Sequence, residues 1–349
     1  MTRSSPQTTV HNAERAAGQA AIITAPRTVS VQPQSPLTPG EGEVVVRIEG
    51  CGVCASSIPV WEGRDWFSYP LAPGEPGHEA WGVVQEVGAG VDTPRVGDRV
   101  AVISERAFAT HDVALAHACV VLPEELQSMP FPGEPLGCAA NIFRRSGIRR
   151  GDTVAVVGAG FIGTLLIQLA RSAQARVIAI SSRETSLDAA REAGAHDIIP
   201  LADRQSVTQQ VHELIGERGC DVVIEATGKQ KPLDLAAELC RVRGRLVIAG
   251  YHQDGRRTVD MQMWNWRGLD VINAHERDPA VFAEGVRLAI QACLVGHMDP
   301  RPLLTHTYPL ARLDEALDAA ATRPSGFMKA IVTMPPAGEP ASDTNGGSP

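Results

Sequence analysis

The sequence predicts an α/β protein of two unlike parts, and three observations carry that expectation. Residues 20–140 are short β-branched runs punctuated by Gly and Pro, the signature of a β-rich region. Near residue 150 the pattern changes to fully apolar runs alternating with helical patterns, as in a doubly wound parallel sheet covered on both faces. The change is marked by the glycine turn GAGFIG at 158–163, set between an apolar run and a helix pattern.

The elements follow in order. EVVVRIEG (43–50) and WGVVQEVGAGV (81–91) read as strands, and the turn-like PRVGDRVAV (94–102) follows. DTVAVVGAGFIGTLLIQLARSAQARVIAIS (152–181) reads as strand, turn, helix, strand. DIIPL (197–201), CDVVIEATG (220–228), GRLVIAGY (244–251) and LDVINAH (269–275) are further short apolar runs. Helical patterns at 186–194 and 232–244 lie between several of them. Beyond 278, AVFAEGVRLAIQACLVG reads as a helix, and THTYPLARLDEALDAAATRPSGFMKAIVTM as a strand, a helix and a closing strand. Residues 1–17 are polar, and the tail from 336 is rich in Pro, Gly and Ser. Neither end can bury enough apolar surface to offset its ordering entropy, so both are expected to be flexible.

Composition removes several classes of function. A net charge of −8 argues against a nucleic-acid surface, which needs a basic patch. No run of about 18 apolar residues is present, so no membrane span is expected. The first twenty residues lack an apolar core segment, unlike a secretory signal. Seven cysteines scattered through 349 residues speak against a disulfide framework and for a reducing, cytoplasmic setting.

GAGFIG has the context that turns a weak motif into a dinucleotide site, because VAVV precedes it and a helix pattern follows. Gly158 permits the tight turn, Gly160 lets backbone approach a pyrophosphate, and Gly163 lets helix and strand pack closely. Phe161 and Ile162 open the helix, whose N-terminus faces the phosphates. The second strand of the unit ends in Ser181-Ser182-Arg183, with no carboxylate at its tip to bind a ribose 2′-hydroxyl. Two hydroxyls and a guanidinium suit a 2′-phosphate, so NADP(H) is expected over NAD(H). The contrary reading makes Arg183 a solvated charge and gives Glu184 the acidic role.

EGCGVCASS (49–57) raises a second question, because its CxxC fits a redox dithiol, half a structural zinc site or one ligand of a catalytic metal. A redox dithiol belongs at a helix N-terminus in a thioredoxin-like unit, which the β-rich surroundings lack. A four-cysteine zinc site needs a second close pair, and Cys119, Cys138, Cys220, Cys240 and Cys293 supply none. Catalytic zinc takes about three protein ligands and keeps one position open. Cys54, His78 and a carboxylate, Glu79 or Glu134, come from separate segments ahead of the dinucleotide turn. Cys51 is expected beside the metal but unbound. Taken singly, each of these residues has a plain structural reading; their joint appearance in this order favours a metal.

These residues together resemble the zinc-dependent medium-chain alcohol and polyol dehydrogenases, over about residues 20–334. The carriers are CGVCASS (51–57), PGHEAWGVVQEVGAGV (76–91), VGDRVAV (96–102), EPLGCAAN (134–141), GDTVAVVGAGFIG (151–163) and FMKAIV (327–332). The resemblance implies a GroES-like catalytic domain at 18–142 and 278–335 enclosing a Rossmann domain at 143–277. It implies Cys54 and His78 as zinc ligands, Glu79 and Glu134 as the carboxylates of the sorbitol-like branch, and Ser56 as the hydroxyl that takes the substrate proton. It places substrate-pocket residues in WEGRDWFSY, where Trp61 and Trp66 are the candidates, against a plain packing role. It further implies a homodimer or homotetramer. Three departures stand out. The structural-zinc lobe is missing, so one zinc is expected. Ser57 stands where the family often has Asp, and Pro59 where many members have a relay His.

The function implied is hydride transfer between NADP(H) and a secondary alcohol or its ketone, with a polyol, sugar-like or cyclic substrate. Two rival readings remain: a zinc-free NADPH-dependent quinone or alkene reductase, and a non-catalytic NADP(H)-binding sensor or scaffold.

Overall fold

The computed structural model of the chain describes residues 18–336. The polar N-terminus and the Pro/Gly/Ser-rich tail, residues 1–17 and 337–349, lie outside the described residues.

The chain opens with the hairpin β1 (Gly18–Ala25) and β2 (Thr28–Gln34), then β3 (Glu43–Gly52). A 3-10 turn at Ala55–Ser57 leads into the short helix α1 (Ile58–Glu62). There follow β4 (Glu79–Val87), β5 (Arg99–Val102), β6 (His111–Leu115), β7 (Cys119–Val121) and helix α2 (Gly133–Ser146). β4 stops at Val87, short of the sequence expectation, where Gly88 N–H bonds the Glu43 carbonyl at 2.8 Å and turns the chain.

The alternating part then runs β8 (Thr153–Val157), α3 (Phe161–Ser172), β9 (Arg176–Ser181), α4 (Glu184–Glu192), β10 (Asp197–Pro200) and α5 (Arg204–Ile215). It continues with β11 (Cys220–Glu225), α6 (Gln230–Leu239), β12 (Cys240–Ile248), α7 (Met261–Arg267) and β13 (Asp270–Asn273). The sequence pattern carries α6 on to residue 244. In the structure it ends at Leu239, because Cys240 pairs with Cys220 of β11 and pulls 240–248 into the sheet. The chain closes with α8 (Pro279–Leu294), β14 (His306–Pro309), α9 (Leu313–Thr322) and β15 (Ala330–Thr333).

Two large sheets result. One is a six-stranded parallel sheet in the order β10-β9-β8-β11-β12-β13, with apolar clusters on both faces. The other has seven strands in the order β14-β15-β3-β4-β5-β7, with β6 paired to β3. α2, α3 and α8 pack between them, and the cluster they share includes Ala101, Leu136, Phe161, Leu165, Val286 and Met328. That seam is continuous apolar core, so it holds the two sheets in a fixed relation.

Strand direction places the site. β3 runs antiparallel to both β15 and β4, with Gly52 opposite Ile331 on one side and Glu79 on the other. The end of β3 therefore meets the starts of β4 and β15, bringing Cys54, His78-Glu79 and Lys329 together.

Candidate active site

Gly50 and Gly52 on β3 make room for the β4 side chains opposite them. A Cβ on Gly52 would lie 2.0 Å from Glu79 Oε2, and one on Gly50 would lie 2.3 Å from Trp81 Cζ2. Glu79 is thus laid flat over β3, fully buried. The ligand atoms of Cys54, His78 and Glu79 lie within 4.8 Å of one another. Among the described residues no other group of three His, Cys, Asp or Glu side chains is so arranged. Thiolate, imidazole and carboxylate are the donor set that zinc takes.

Each donor is oriented locally. Cys54 is the extended residue that starts the 3-10 turn, and its carbonyl accepts from Ser57 N–H at 3.1 Å. His78 Nδ1 lies 2.8 Å from the Pro76 carbonyl, which fixes Nδ1 as the protonated nitrogen and leaves Nε2 facing the site. Ser57 is buried with its Oγ unpartnered among the described residues. The backbone at Pro76 thus supplies the orienting bond. Ser56 Oγ lies 3.4 Å from His78 Nε2. Burial disfavours the imidazolium, but Cys54, by charge and hydrogen bond, and the charges of Glu134 and Glu79 push His78 up to about 10.

Glu134, in the first turn of α2, acts on His78 by its charge, but its carboxylate is not in the Cys54–His78–Glu79 group expected to include it, and the Cys138 thiol one turn on donates to its Oε1 at 3.1 Å. Burial raises the Glu134 carboxyl, opposed by the charge of His78. Burial and the adjacent Glu134 charge push the Cys138 thiol well up. Cys51 is buried in the core of the seven-stranded sheet and raised by burial, as befits a residue beside the site and not in it.

Sequence reasoning missed Lys329. Its ammonium lies 2.6 Å from Glu79 Oε1 and 5.1 Å from the centroid of the Phe161 ring. The residue is 6% exposed and its partner fully buried. Such a pair stands because each charge satisfies the other where water cannot.

The glycine turn has the predicted form. Gly158 sits at φ +104, and a Cβ on Gly163 would lie 1.9 Å from the Gly158 carbonyl oxygen. A Cβ on Gly160 would meet nothing within 4 Å, so that position opens onto free space. Phe161 and Ile162 head α3, and their N–H groups are among those a helix start leaves without intrahelical partners. At the tip of β9, Ser181 is buried, Ser182 is exposed, and Arg183 donates to the Phe327 carbonyl.

A further polar group closes this end of the parallel sheet. The fully buried Glu225 carboxylate accepts from the N–H groups of Thr227 at 2.7 Å and Gly228 at 2.9 Å. Its other oxygen faces His252 Nε2 at 3.0 Å. The next residue, Gln253, donates to the Ala55 carbonyl at 3.3 Å, tying this loop to the segment between Cys54 and Ser56.

The aromatic stretch divides. Trp61 is 1% exposed in the core, its indole N–H donating to Asp318 Oδ1 of α9 at 2.7 Å, so it packs the fold and is not a pocket wall. Trp66 is 61% exposed, with its ring centroid 6.0 Å from that of Phe67.

Comparison with known proteins bears on these features. The zinc-binding dehydrogenase family matches residues 162–291, and the alcohol dehydrogenase GroES-like domain matches residues 40–144. A sorbitol dehydrogenase of Halalkalibacterium halodurans is 26% identical over 323 residues, covering 83% of this chain and 92% of its own. Human sorbitol dehydrogenase is 29% identical over 318 residues, covering 80% and 86%. A structure from Sinorhizobium meliloti 1021, described as a zinc-binding dehydrogenase bound to NADP, superposes with a TM-score of 0.77 at 25% identity, covering 91% of this chain and 100% of its own.

Proposed function

The chain belongs to the zinc-type medium-chain alcohol and polyol dehydrogenases, and on that premise we propose that it moves hydride between NADP(H) and a secondary alcohol of polyol type, using one zinc. The observation that carries the reading is the Cys54–His78–Glu79 grouping at the end of β3.

Cys54 Sγ, His78 Nε2 and the Glu79 carboxylate would hold the zinc, and the Glu134 carboxylate would add negative charge that favours it. Bound there, zinc supplies Lewis-acid polarisation of the substrate oxygen. The nicotinamide supplies the hydride chemistry, which the protein has only to position. Ser56 Oγ, beside His78, takes the proton of the substrate hydroxyl. With Pro59 in place of a histidine, the proton taken at Ser56 Oγ would have to pass on to solvent or to another residue. The Pro76 carbonyl holds the His78 tautomer, and Lys329 holds Glu79.

Ser181, Ser182 and Arg183, with no carboxylate at the tip of β9, support NADP(H). The sorbitol dehydrogenases among the relatives support a polyol. Exposed Trp66 is the aromatic face left for the substrate side. We read the assembly as a homodimer or homotetramer and the setting as cytoplasmic. No helix among the described residues is long and apolar enough to cross a membrane.

The test is elemental analysis of the purified protein beside Cys54→Ala. About one zinc per chain, lost in the variant, is expected. Absence of zinc from carefully handled wild type would overturn the mechanism in favour of a zinc-free reductase. Polyols and their ketones are then screened with NADP(H) and NAD(H).

A further inference from the structure

The chain between α9 and β15, residues 323–329, is strapped onto the parallel-sheet part where β9 meets α4. Gly326 N–H donates to Thr185 Oγ1 at 3.1 Å, Arg183 donates to the Phe327 carbonyl, and Ser186 Oγ lies 3.9 Å from Met328 Sδ. Under the strap is a cleft of about 430 Å³ whose walls include Arg183, Thr185, Arg323 and Ser325. Glu184 and Asp188 line it too; Glu184 is exposed, and Asp188 is paired with Arg191 at 2.5 Å.

Two features mark the arginines. The ion pairs among the described residues include neither Arg183 nor Arg323. And Arg323 caps α9 in the left-handed conformation at φ 49, where glycine is the usual residue. A side chain kept at such a position is held there by its surroundings at some cost in backbone strain. Burial and then the Arg323 charge lower Arg183, as expected for like charges held near each other without an anion.

We propose that Arg323 is the second guanidinium of the 2′-phosphate subsite, so that the phosphorylated cofactor is read by one arginine from each side of the strap. This rests on the NADP(H) reading above and extends it. Arg183 spends one donor on the Phe327 carbonyl and keeps the rest of its fork. A dianionic phosphate between two guanidiniums takes charge-assisted bonds from both, and Thr185 and Ser325 add hydroxyl donors. A 2′-hydroxyl could use neither charge, so the arrangement discriminates between the two cofactors.

The experiment titrates the full-length protein with NADPH and NADH, following nicotinamide fluorescence, and with adenosine 2′,5′-bisphosphate and AMP by calorimetry. Wild type, Arg323→Gly, Arg323→Asn and Arg183→Ala are compared, with thermal melts for each. Glycine and asparagine both accept the left-handed position, so at least one is expected to keep the fold. Removing the Arg323 guanidinium is expected to weaken NADPH and the bisphosphate about tenfold or more. NADH and AMP should change by less than about twofold. If wild type prefers NADPH and a folded Arg323 variant keeps that preference intact, this assignment fails while the cofactor reading stands. If wild type binds NADH and AMP as tightly as their phosphorylated counterparts, the cofactor reading itself fails.

Discussion

The Lys329 ammonium lies 2.6 Å from Glu79 Oε1 and 2.5 Å from Oε2, across 250 residues of sequence. The antiparallel order β15-β3-β4 makes the contact, because it lays the start of the closing strand beside the start of β4. With any bound metal removed by chelator, losing Lys329 leaves the buried Glu79 carboxylate without its ammonium partner. We expect Lys329→Met to lose about 3–5 kcal/mol of unfolding free energy. Lys329→Met/Glu79→Gln should recover much of that loss, since neither side then buries a lone charge. Urea denaturation of the set decides it; a double variant no more stable than Lys329→Met would show that the two residues are not energetically coupled.

Ser56 and the metal donors should separate kinetically. Ser56→Ala removes a hydroxyl whose partner is the ring of His78 at 3.4 Å and leaves Cys54, His78 and Glu79 in place. It should lower kcat by about 10²–10⁴, the range for loss of positioned proton transfer. Zinc content and cofactor Kd should stay at wild-type values. A kcat close to wild type would move the proton relay to another group.

How much of this site the sequence shows depends on how each residue is specified. Cys54, His78 and Glu79 can be picked out in sequence because metal donors come from a few residue types, and the structure brings their ligand atoms within 4.8 Å of one another; Glu134, picked with them, lies outside that group. Lys329 is invisible in that sense, because its meaning lies in a strand order that FMKAIV alone does not state. Trp61 misleads for a similar reason. In sequence it belongs to an aromatic stretch between Ser56 and His78, yet its indole N–H is satisfied by Asp318, 257 residues away. The doubly wound sheet is legible from its apolar runs, and both matched families agree with the two-part reading. The end of α6 is not, because the segment after Leu239 keeps a helical pattern while its backbone is taken by β11.

Asp221 ties the start of β11 to its neighbours and should set part of the acid limb of stability. Its Oδ2 accepts from Thr153 N–H at 2.9 Å and its Oδ1 from Arg241 Nε at 2.6 Å. Burial alone would raise the carboxyl, but these hydrogen bonds and the charges of Arg241 and Arg218 hold it below its usual value. A folded-state value below the unfolded one gives stability that is present above the unfolded pKa and lost as pH falls through the folded one. Wild type should therefore lose more stability than Asp221→Asn between about pH 5 and about pH 2, and the gap between their urea midpoints should narrow in acid. A gap unchanged by pH would show that the carboxylate is not held in this way.

The last prediction sets two glycines of one turn against each other. At Gly163 a Cβ would sit 1.9 Å from the backbone oxygen of Gly158, and backbone cannot swing aside as the end of a long side chain can. Gly163→Ala should force β8 and α3 apart, lowering stability by about 1–3 kcal/mol, the usual cost of overpacking. At Gly160 the same methyl meets no protein atom within 4 Å. If that space is where the cofactor's phosphates approach, Gly160→Ala should melt within a few degrees of wild type while its affinity for NADPH falls. Thermal unfolding and fluorescence titration of both variants read the two effects apart. A Gly160→Ala protein that binds cofactor as tightly as wild type would place the pyrophosphate elsewhere, and the free space over Gly160 would then have no part in holding it.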